Sequence, residues 1–419
     1  MDTNPLFTMA LGLVPPWHVV ETKFMAEERQ LDLRIAYADS SKFPCPACGK
    51  TGCPVYDADE KRWRHLDFFQ HQAYIIARVP RVECPTCGVK LVSVPWARPN
   101  SGFTLLMEAM VLEMARNMPM RAIGRLLKVT DKRVWRVLEH YVQEALAKTS
   151  CASVTRIGVD ETSARKHHDY ISLFFDLDQR RLVFATTGKD HSTVTRFSSF
   201  LESHQGSVNQ VKEVSCDMSP AFIKGVSDNL PKASITFDRF HVTRVLTDAV
   251  DMVRRQEWRS DKAIKGSRYL VLKNPENLTE KQEAELQLVM ARNARLAEAY
   301  RLKESFRDLY AQESWSDGRG FLKAWTIAAY RSKIEPMMKA ADMVRRHWFG
   351  ILRWFVSGIN NGVMEALAGL IQAAKRKARG YRNHGTLITI AYLIAGKLDF
   401  SQTHTKMTQS HLCHAGCPG

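Results

Sequence analysis

The sequence predicts a multidomain chain of mixed α/β class. Two copies of one cysteine knuckle stand near the start, unbroken helical periodicity follows, and from Val154 the texture changes to short strands that alternate with helices. The chain has 419 residues, of which 45% are hydrophobic, so several packed domains fit without external staples. A net charge of +16 asks for an acidic partner. Nucleic acid is expected rather than a membrane, because no apolar run approaches the ~18 to 20 residues that a span requires. Met1 to Val14 carries Asp2 and no basic stretch, so no secretory leader is expected and the expected location is the cytoplasm.

The first domain is expected over residues 1–95. Cys45-Pro-Ala-Cys48-Gly49 and Cys84-Pro-Thr-Cys87-Gly88 repeat one pattern with 35 residues between them. Each pair sets two sulfurs on a tight turn, and the following glycine supplies the positive φ that lets backbone amides face them. Two such turns complete a tetrahedral site of four thiolates, for which Zn²⁺ in a structural role is the natural occupant. Trp63–Phe69 and Gln72–Val82 are strand-like and are expected to pair as a hairpin between the knuckles. Cys53, Cys151 and Cys216 have no partner spacing and read as small core or surface residues. His411, Cys413, His414 and Cys417 form a metal-like pattern in a tail over 401–419, and the pattern leaves metal binding there open.

Pro95 to Ser101 reads as a linker, and residues 101–150 as a helix-turn-helix domain. Pro119 opens one helix with the apolar stripe Met120, Ile123, Leu126 and Leu127, and Thr130 caps the next. Val134, Val137, Leu138 and Tyr141 are expected inside. Lys132, Arg133 and Arg136 are expected outside, where they make a basic edge suited to a major groove.

Residues 151–245 carry strands at Val154–Val159, Tyr170–Leu177, Arg181–Thr187, Val211–Ser215 and Ser234–Phe237. Helices are expected at His191–Ser203 and Ser219–Asn229. Asp160, Asp217 and Asp238 then fall at strand ends, where sheet-based sites are commonly built. Residues 246–345 are charged and helical, which reads as an insertion, and 346–400 completes the α/β domain. In that last segment Glu365 is the only carboxylate between Asp342 and Asp399, among nine lysines and arginines. A surface built only to hold a polyanion gains nothing from a central acid, whereas a metal held against a nucleic-acid backbone needs carboxylates beside phosphate-binding cations. Helical projection puts Val363, Leu367, Leu370, Ile371 and Ala374 on one side. Asn361, Glu365, Gln372, Arg376 and Arg379 lie opposite, with Ala368 and Gly369 leaving space beside Glu365.

These parts, in this order, resemble the ISL3 family of bacterial insertion-sequence transposases. The residues that carry the resemblance are the two knuckles, Ile157-Gly-Val-Asp160-Glu161, Cys216-Asp217-Met-Ser-Pro220-Ala-Phe222, Phe237-Asp238-Arg-Phe-His241, and Asn361-Gly-Val-Met-Glu365 running into Lys375-Arg-Lys-Ala-Arg-Gly380-Tyr-Arg-Asn383. The resemblance implies a DDE catalytic domain with a ribonuclease-H-like fold, in which Asp160, Asp217 and Glu365 hold two Mg²⁺ or Mn²⁺ ions. Glu161 is a rival for Asp160, but neighbouring strand residues face opposite ways and the family pattern selects Asp160. Asp238 and His241 match an accessory signature. Lys375, Arg376, Arg379 and Arg382 are the phosphate contacts implied beside Glu365. Related chains often carry Gly and Asn where Ala366 and Ala368 stand here.

The activity implied is phosphodiester hydrolysis and strand transfer at the terminal inverted repeats of an insertion element in double-stranded DNA, by a homo-oligomer of at least two copies. No covalent link between protein and DNA is needed, although Tyr381 beside Arg379 and Arg382 is the residue that such chemistry would use. Two other readings stay open: a DNA-binding regulator with an inactive catalytic domain, and a nuclease without strand transfer.

Overall fold

The computed structural model describes residues 3–165 and 169–401, so the His411, Cys413, His414 and Cys417 pattern lies outside the described residues. The chain divides into two compact units, one reaching to Leu146 and resuming at Leu398, the other covering Ala147–Lys397.

The first unit begins with a sheet of five strands, β1 (His18–Met25), β2 (Gln30–Ala36), β3 (Val55–Arg64), β4 (Gln72–Cys84) and β5 (Gly88–Leu91). The order is β1-β2-β4-β3, with β5 also on β4. The expected hairpin between the knuckles is present as the antiparallel pair β3 and β4, but its first strand lies earlier than the apolar pattern indicates. It stops at Arg64, whose guanidinium is almost wholly buried and donates to the carbonyls of His65 and Ala73 and to Asp67. A buried charge needs such partners, and meeting them bends the chain out of the sheet before Phe69. Trp17, Trp63 and Trp96 close the core edge to face, with ring centroids 5.1 and 5.6 Å apart.

Three helices follow at Leu105–Asn117, Met120–Leu126 and Asp131–Ala147. Val134, Val137, Leu138 and Tyr141 are buried as the periodicity predicts. Leu126 is not: it is 59% exposed, and Gly124 takes its place inward, because positions 120, 123, 124 and 127 share the packed face. A Cβ on Gly124 would lie 2.8 Å from the Val129 carbonyl oxygen and 3.3 Å from the Asp131 amide, so the tight crossing depends on glycine. Glu108 is fully buried, and accepts from Arg98, Ser101 and Tyr141 at 3.0, 2.6 and 2.7 Å, which ties the first helix of the trio to the third.

The second unit holds β6 (Arg156–Arg165), β7 (Asp169–Asp176), β8 (Arg181–Thr187), β9 (Glu213–Cys216) and β10 (Ser234–Phe237) in the order β10-β9-β6-β7-β8. β6, β7 and β8 form an antiparallel meander, while β9 and β10 run parallel to β6 on its other side. β6 extends well past the expected Val159 because β7 stays paired with it as far as Arg165 and Asp169, so Asp160 stands inside the strand. Helices Ser192–Ser203 and Pro220–Asn229 cover one face through Val194, Phe197, Leu201, Phe222 and Val226. From Arg239 to Ser357 every named element is helical, packed about its own core of Leu246, Val250, Phe306, Leu322 and Trp325.

Replacing Gly124 with Ala tests the crossing. Alanine is the better helix former by about 1 kcal/mol, yet the clash with backbone atoms is expected to cost about 1 to 3 kcal/mol more than that gain, so melting of G124A should begin below wild type. An unchanged or raised melting temperature would show that the crossing is loose.

Candidate functional site

The two knuckles meet. Cys45, Cys48, Cys84 and Cys87 present their sulfurs within 4.8 Å of one another. The Cys48 and Cys84 sulfurs are 3.7 Å apart, close to the ~3.8 Å between two thiolates on a tetrahedral ion with bonds of about 2.3 Å. Gly49 and Gly88 have φ of +74° and +70°, the conformation that the knuckle needs. Backbone amides of Thr86 and Cys87 lower the Cys84 thiol, which favours the thiolate that a metal binds. Cys53, read from sequence as unconnected, is buried beside this cluster, and its thiol is pushed up by burial and by Cys84.

In the second unit, strand register assembles the acids. Gly158 lies opposite Ser215, and Ser215 opposite Thr236, on three neighbouring parallel strands. Two residues further on, at the same level, stand Asp160, Asp217 and Asp238. Asp160, inside β6, shares by alternation the face that carries Gly158, while Asp217 and Asp238 stand one residue past the ends of β9 and β10, in the turns to the next helices, and both act on Asp160 through their charge. Ile157, Val159, Val214 and Cys216 point the other way, into the apolar core. One oxygen of each acid accepts a backbone amide, from Glu161, Ser219 and Phe240 respectively, at 2.8, 3.0 and 2.7 Å. The second oxygen of Asp238 binds His241 Nδ1 at 2.8 Å.

The helix Gly362–Lys377 lies along this face. Its N-cap Asn361 accepts from the Ser215 hydroxyl at 3.1 Å, Met364 occupies the space over Gly158, Gln372 donates to the Thr162 hydroxyl, and Lys375 donates to the Ser163 carbonyl. This corrects the expected packing face. Met364 and Ile371 are the buried residues and Leu370 is 51% exposed, because the strand offers a glycine socket and two polar partners rather than a flat apolar surface. Glu365 remains exposed, one residue past the Met364 contact. Asp160 lies between Gly158 and Thr162, and so faces the helix between Met364 and Gln372, the stretch that holds Glu365 and Ala368.

The electrostatics are those of crowded acids. Asp160 is pushed up, first by burial and further by Asp238 and Asp217, against the pull of the Glu161 amide and His241. Glu161, on the opposite side of the strand, is pushed up to about 7 by burial and by Asp217, with Lys189 opposing. His241 is raised by its hydrogen bond to Asp238. Among the described residues, only the four cysteines bring three or more ligand atoms within 4.8 Å of one another.

The cations divide into two groups. Lys132 and Arg136 are exposed, but Arg133 donates to the Gly102 carbonyl at 2.8 Å and lies 4.0 Å from the Phe103 ring centroid, an internal role that helical projection alone does not reveal. Arg376, Arg379 and Arg382 are exposed and, with the more buried Lys375, line an open cavity of ≈ 650 Å³. The Gly380 amide closes the helix on the Lys375 carbonyl at 2.9 Å, so these charges gather at the negative end of the helix dipole. Tyr381 in the same wall is pushed up to about 12 by burial, which keeps its phenol protonated.

A carboxyl whose pKa rises on folding contributes stability below its unfolded value and loses it as pH rises through its folded value. For Glu161 that window runs from 4.5 to about 7. Without added divalent cation, Glu161→Gln should therefore gain melting temperature over wild type progressively across this window. A difference that does not change with pH would remove the electrostatic account of the site.

A transposase model of the ISL3 family matches residues 157–391 of the chain. The model for the helix-turn-helix domain of that family matches 92–142, and a zinc-finger model from the transposases IS204, IS1001, IS1096 and IS1165 matches 41–87. The chain is 31% identical over 384 residues to the transposase for insertion sequence element IS1557 of Mycobacterium tuberculosis, covering 83% of this chain and 85% of that one. It is 24% identical over 350 residues to the transposase for element IS1001 of Bordetella parapertussis, covering 81% and 85%. The zinc ribbon, the helix-turn-helix and the α/β domain are thus the parts of one known kind of protein, and the chain belongs to the ISL3 family of insertion-sequence transposases.

Proposed function

We propose that the chain binds the terminal inverted repeats of its own element in double-stranded DNA and carries out metal-dependent strand cleavage and strand transfer as a DDE enzyme. The observation that carries this reading is the gathering of Asp160, Asp217 and Asp238 on three neighbouring strands and their ends, where their charges act on one another, with the Glu365 helix laid along β6. A meander of three antiparallel strands followed by two parallel strands on the other side of the first supports a ribonuclease-H-like fold. On this reading 1–95 is the zinc module, 101–150 the helix-turn-helix domain, 151–245 and 346–400 the catalytic domain, and 246–345 its helical insertion.

Asp160, Asp217 and Glu365 are the residues that would hold two Mg²⁺ or Mn²⁺ ions. Their donors are all carboxylate oxygens, which suits a hard cation, and Asp160, raised by burial and to a smaller degree by Asp238 and Asp217, is a carboxylate whose charge a cation would stabilise. When bound, such ions supply a lower pKa for the attacking water or 3′-hydroxyl and positive charge against the departing oxygen. His241, kept more basic by Asp238, adds a proton-bearing group beside the row. Arg376, Arg379 and Arg382, with Lys375 behind them, hold phosphates at the far end of the Glu365 helix, while Lys132 and Arg136 meet DNA from the helix-turn-helix. Arg133 supports that helix from within. Cutting both ends of an element in concert calls for at least two copies of the chain, acting in the cytoplasm. Among the described residues no helix is long and apolar enough to cross a membrane.

The test uses a duplex bearing the element's end, with Mg²⁺, and a supercoiled target. Wild type should cut at the end and join the new 3′ end to the target. Asp160→Asn, Asp217→Asn and Glu365→Gln should each abolish both steps while retaining end binding. Cutting undiminished in all three variants overturns the assignment. Cutting without joining indicates a nuclease, and binding without cutting by wild type indicates a regulator.

A further inference from the structure

Beside the acidic row lies a cavity of ≈ 710 Å³ whose wall includes both Asp238 and Glu365. Its size falls within the range of about 300 to 1,000 Å³ that is usual for ligand sites. The rest of the wall adds two more carboxylates, Asp248 and Glu276, with Arg244, Lys303 and Arg307 among them, and three features that suit a nucleotide. Aromatic surface comes from Trp354, Tyr310 and Phe240, with Trp354 and Tyr310 edge to face at 5.3 Å. Positive charge comes from Arg239, whose guanidinium carbon is 5.0 Å from the Tyr310 ring centroid. Hydrogen-bonding groups come from the Tyr310 hydroxyl and the Asn361 side-chain amide.

Two of those groups lack what a buried polar atom normally has. The Tyr310 hydroxyl and Asn361 Nδ2 are buried without a hydrogen-bond partner, and Tyr310 is only 9% exposed. Unmet donors and acceptors at depth carry a free-energy penalty that a ligand of matching shape removes. Asn361 shows the point clearly: its side-chain oxygen is taken by Ser215, so the amide NH₂ remains to bind something else. Phe240, by contrast, is 56% exposed, an apolar ring at the rim with little protein against it.

We infer that this cavity holds one nucleotide extruded from the DNA end, stacked on Phe240 and Trp354, read along its edge by Tyr310 and Asn361, and neutralised at its phosphate by Arg239. The inference rests on the function proposed above, since Asp238 and Glu365 place the cavity beside the bond to be cut. A planar base, a hydrogen-bonding edge and a phosphate are the three features that the wall matches, and an unstacked base is the form in which DNA presents all three together. Extrusion would also open the duplex where the metal ligands must reach the backbone. A free nucleotide shares this chemistry, and the test separates the two sources.

The test places 2-aminopurine, one position at a time, on either side of the cleaved bond, with Ca²⁺ replacing Mg²⁺ so that binding is observed without cutting. One position should brighten several-fold when wild type binds, and Phe240→Ala and Tyr310→Phe should each reduce that rise while end binding by gel shift persists. Phe240 is exposed and Tyr310→Phe removes one oxygen, so neither change endangers the core. Binding with no brightening at any position, or brightening that both variants leave intact, overturns the inference. ATP that quenches tryptophan fluorescence in wild type but not in Trp354→Phe in the absence of DNA, with no brightening on DNA, assigns the cavity to a free nucleotide and also overturns it. Loss of end binding by wild type strikes the proposed function instead.

Discussion

The acidic face of the second unit depends on a side chain that is absent. A Cβ on Gly158 would stand 2.0 Å from Met364 Sδ and 2.7 Å from its Cγ, so a larger residue there must displace the buried Met364 side chain from its place between the Glu365 helix and the strand. Gly158 is two residues before Asp160 on the same face, and Met364 is one residue before Glu365. One van der Waals contact therefore sets the longitudinal position of both acids, and the bonds from Gln372 to Thr162 and from Lys375 to Ser163 fix the direction of the helix beyond it. Thr162 and Ser163 follow Asp160 along the strand, so the acid is bracketed by contacts on both sides.

The same geometry explains the charge distribution. Burial raises Asp160 and Glu161, and the acids brought together there, Asp160 within β6 and Asp217 and Asp238 just past β9 and β10, add repulsion to it. Nearby, the helix ends in Lys375, Arg376 and Lys377, then Arg379 and Arg382. Cations there are favoured by the unsatisfied carbonyls of the helix end even before any ligand arrives. Acidic and basic features thus occupy the two ends of a single helix of sixteen residues, each at the end where the other charge would cost more. Glu365 in the first turn obeys the same rule.

Much of this was legible in the sequence because it is local. The knuckles announce their geometry through spacing and a following glycine, and β10 has the span that its alternation predicts. Asp217 and Asp238 do follow strands, since each also caps the turn into the next helix, a short-range task. What escaped depends on partners distant in sequence. Asp160 sits within a strand because β7 prolongs the pairing. Leu370 is exposed because Gly158 offers its socket to Met364 instead, and Arg133 turns inward because Phe103 and Gly102 lie beneath it. β1 and β2 have no sharp turn chemistry and were not anticipated, although the alternating burial of β2 is a usable signal. Helical projection finds a polar face, but it cannot know that a strand will offer a hydroxyl and a carbonyl to Gln372 and Lys375.

The central claim is that the Gly158 and Met364 contact positions Glu365 against Asp160, and a volume exchange across that contact tests it most directly. Gly158→Val adds three carbons on a strand that welcomes a β-branched residue, and Met364→Ala removes a comparable volume from the helix. The measurement is Mg²⁺-dependent cleavage of an element end by G158V, M364A and the double variant, with end binding checked for each. Cleavage should collapse in G158V and recover in the double variant, because the helix can then return to the strand. Wild-type cleavage by G158V alone would contradict the account.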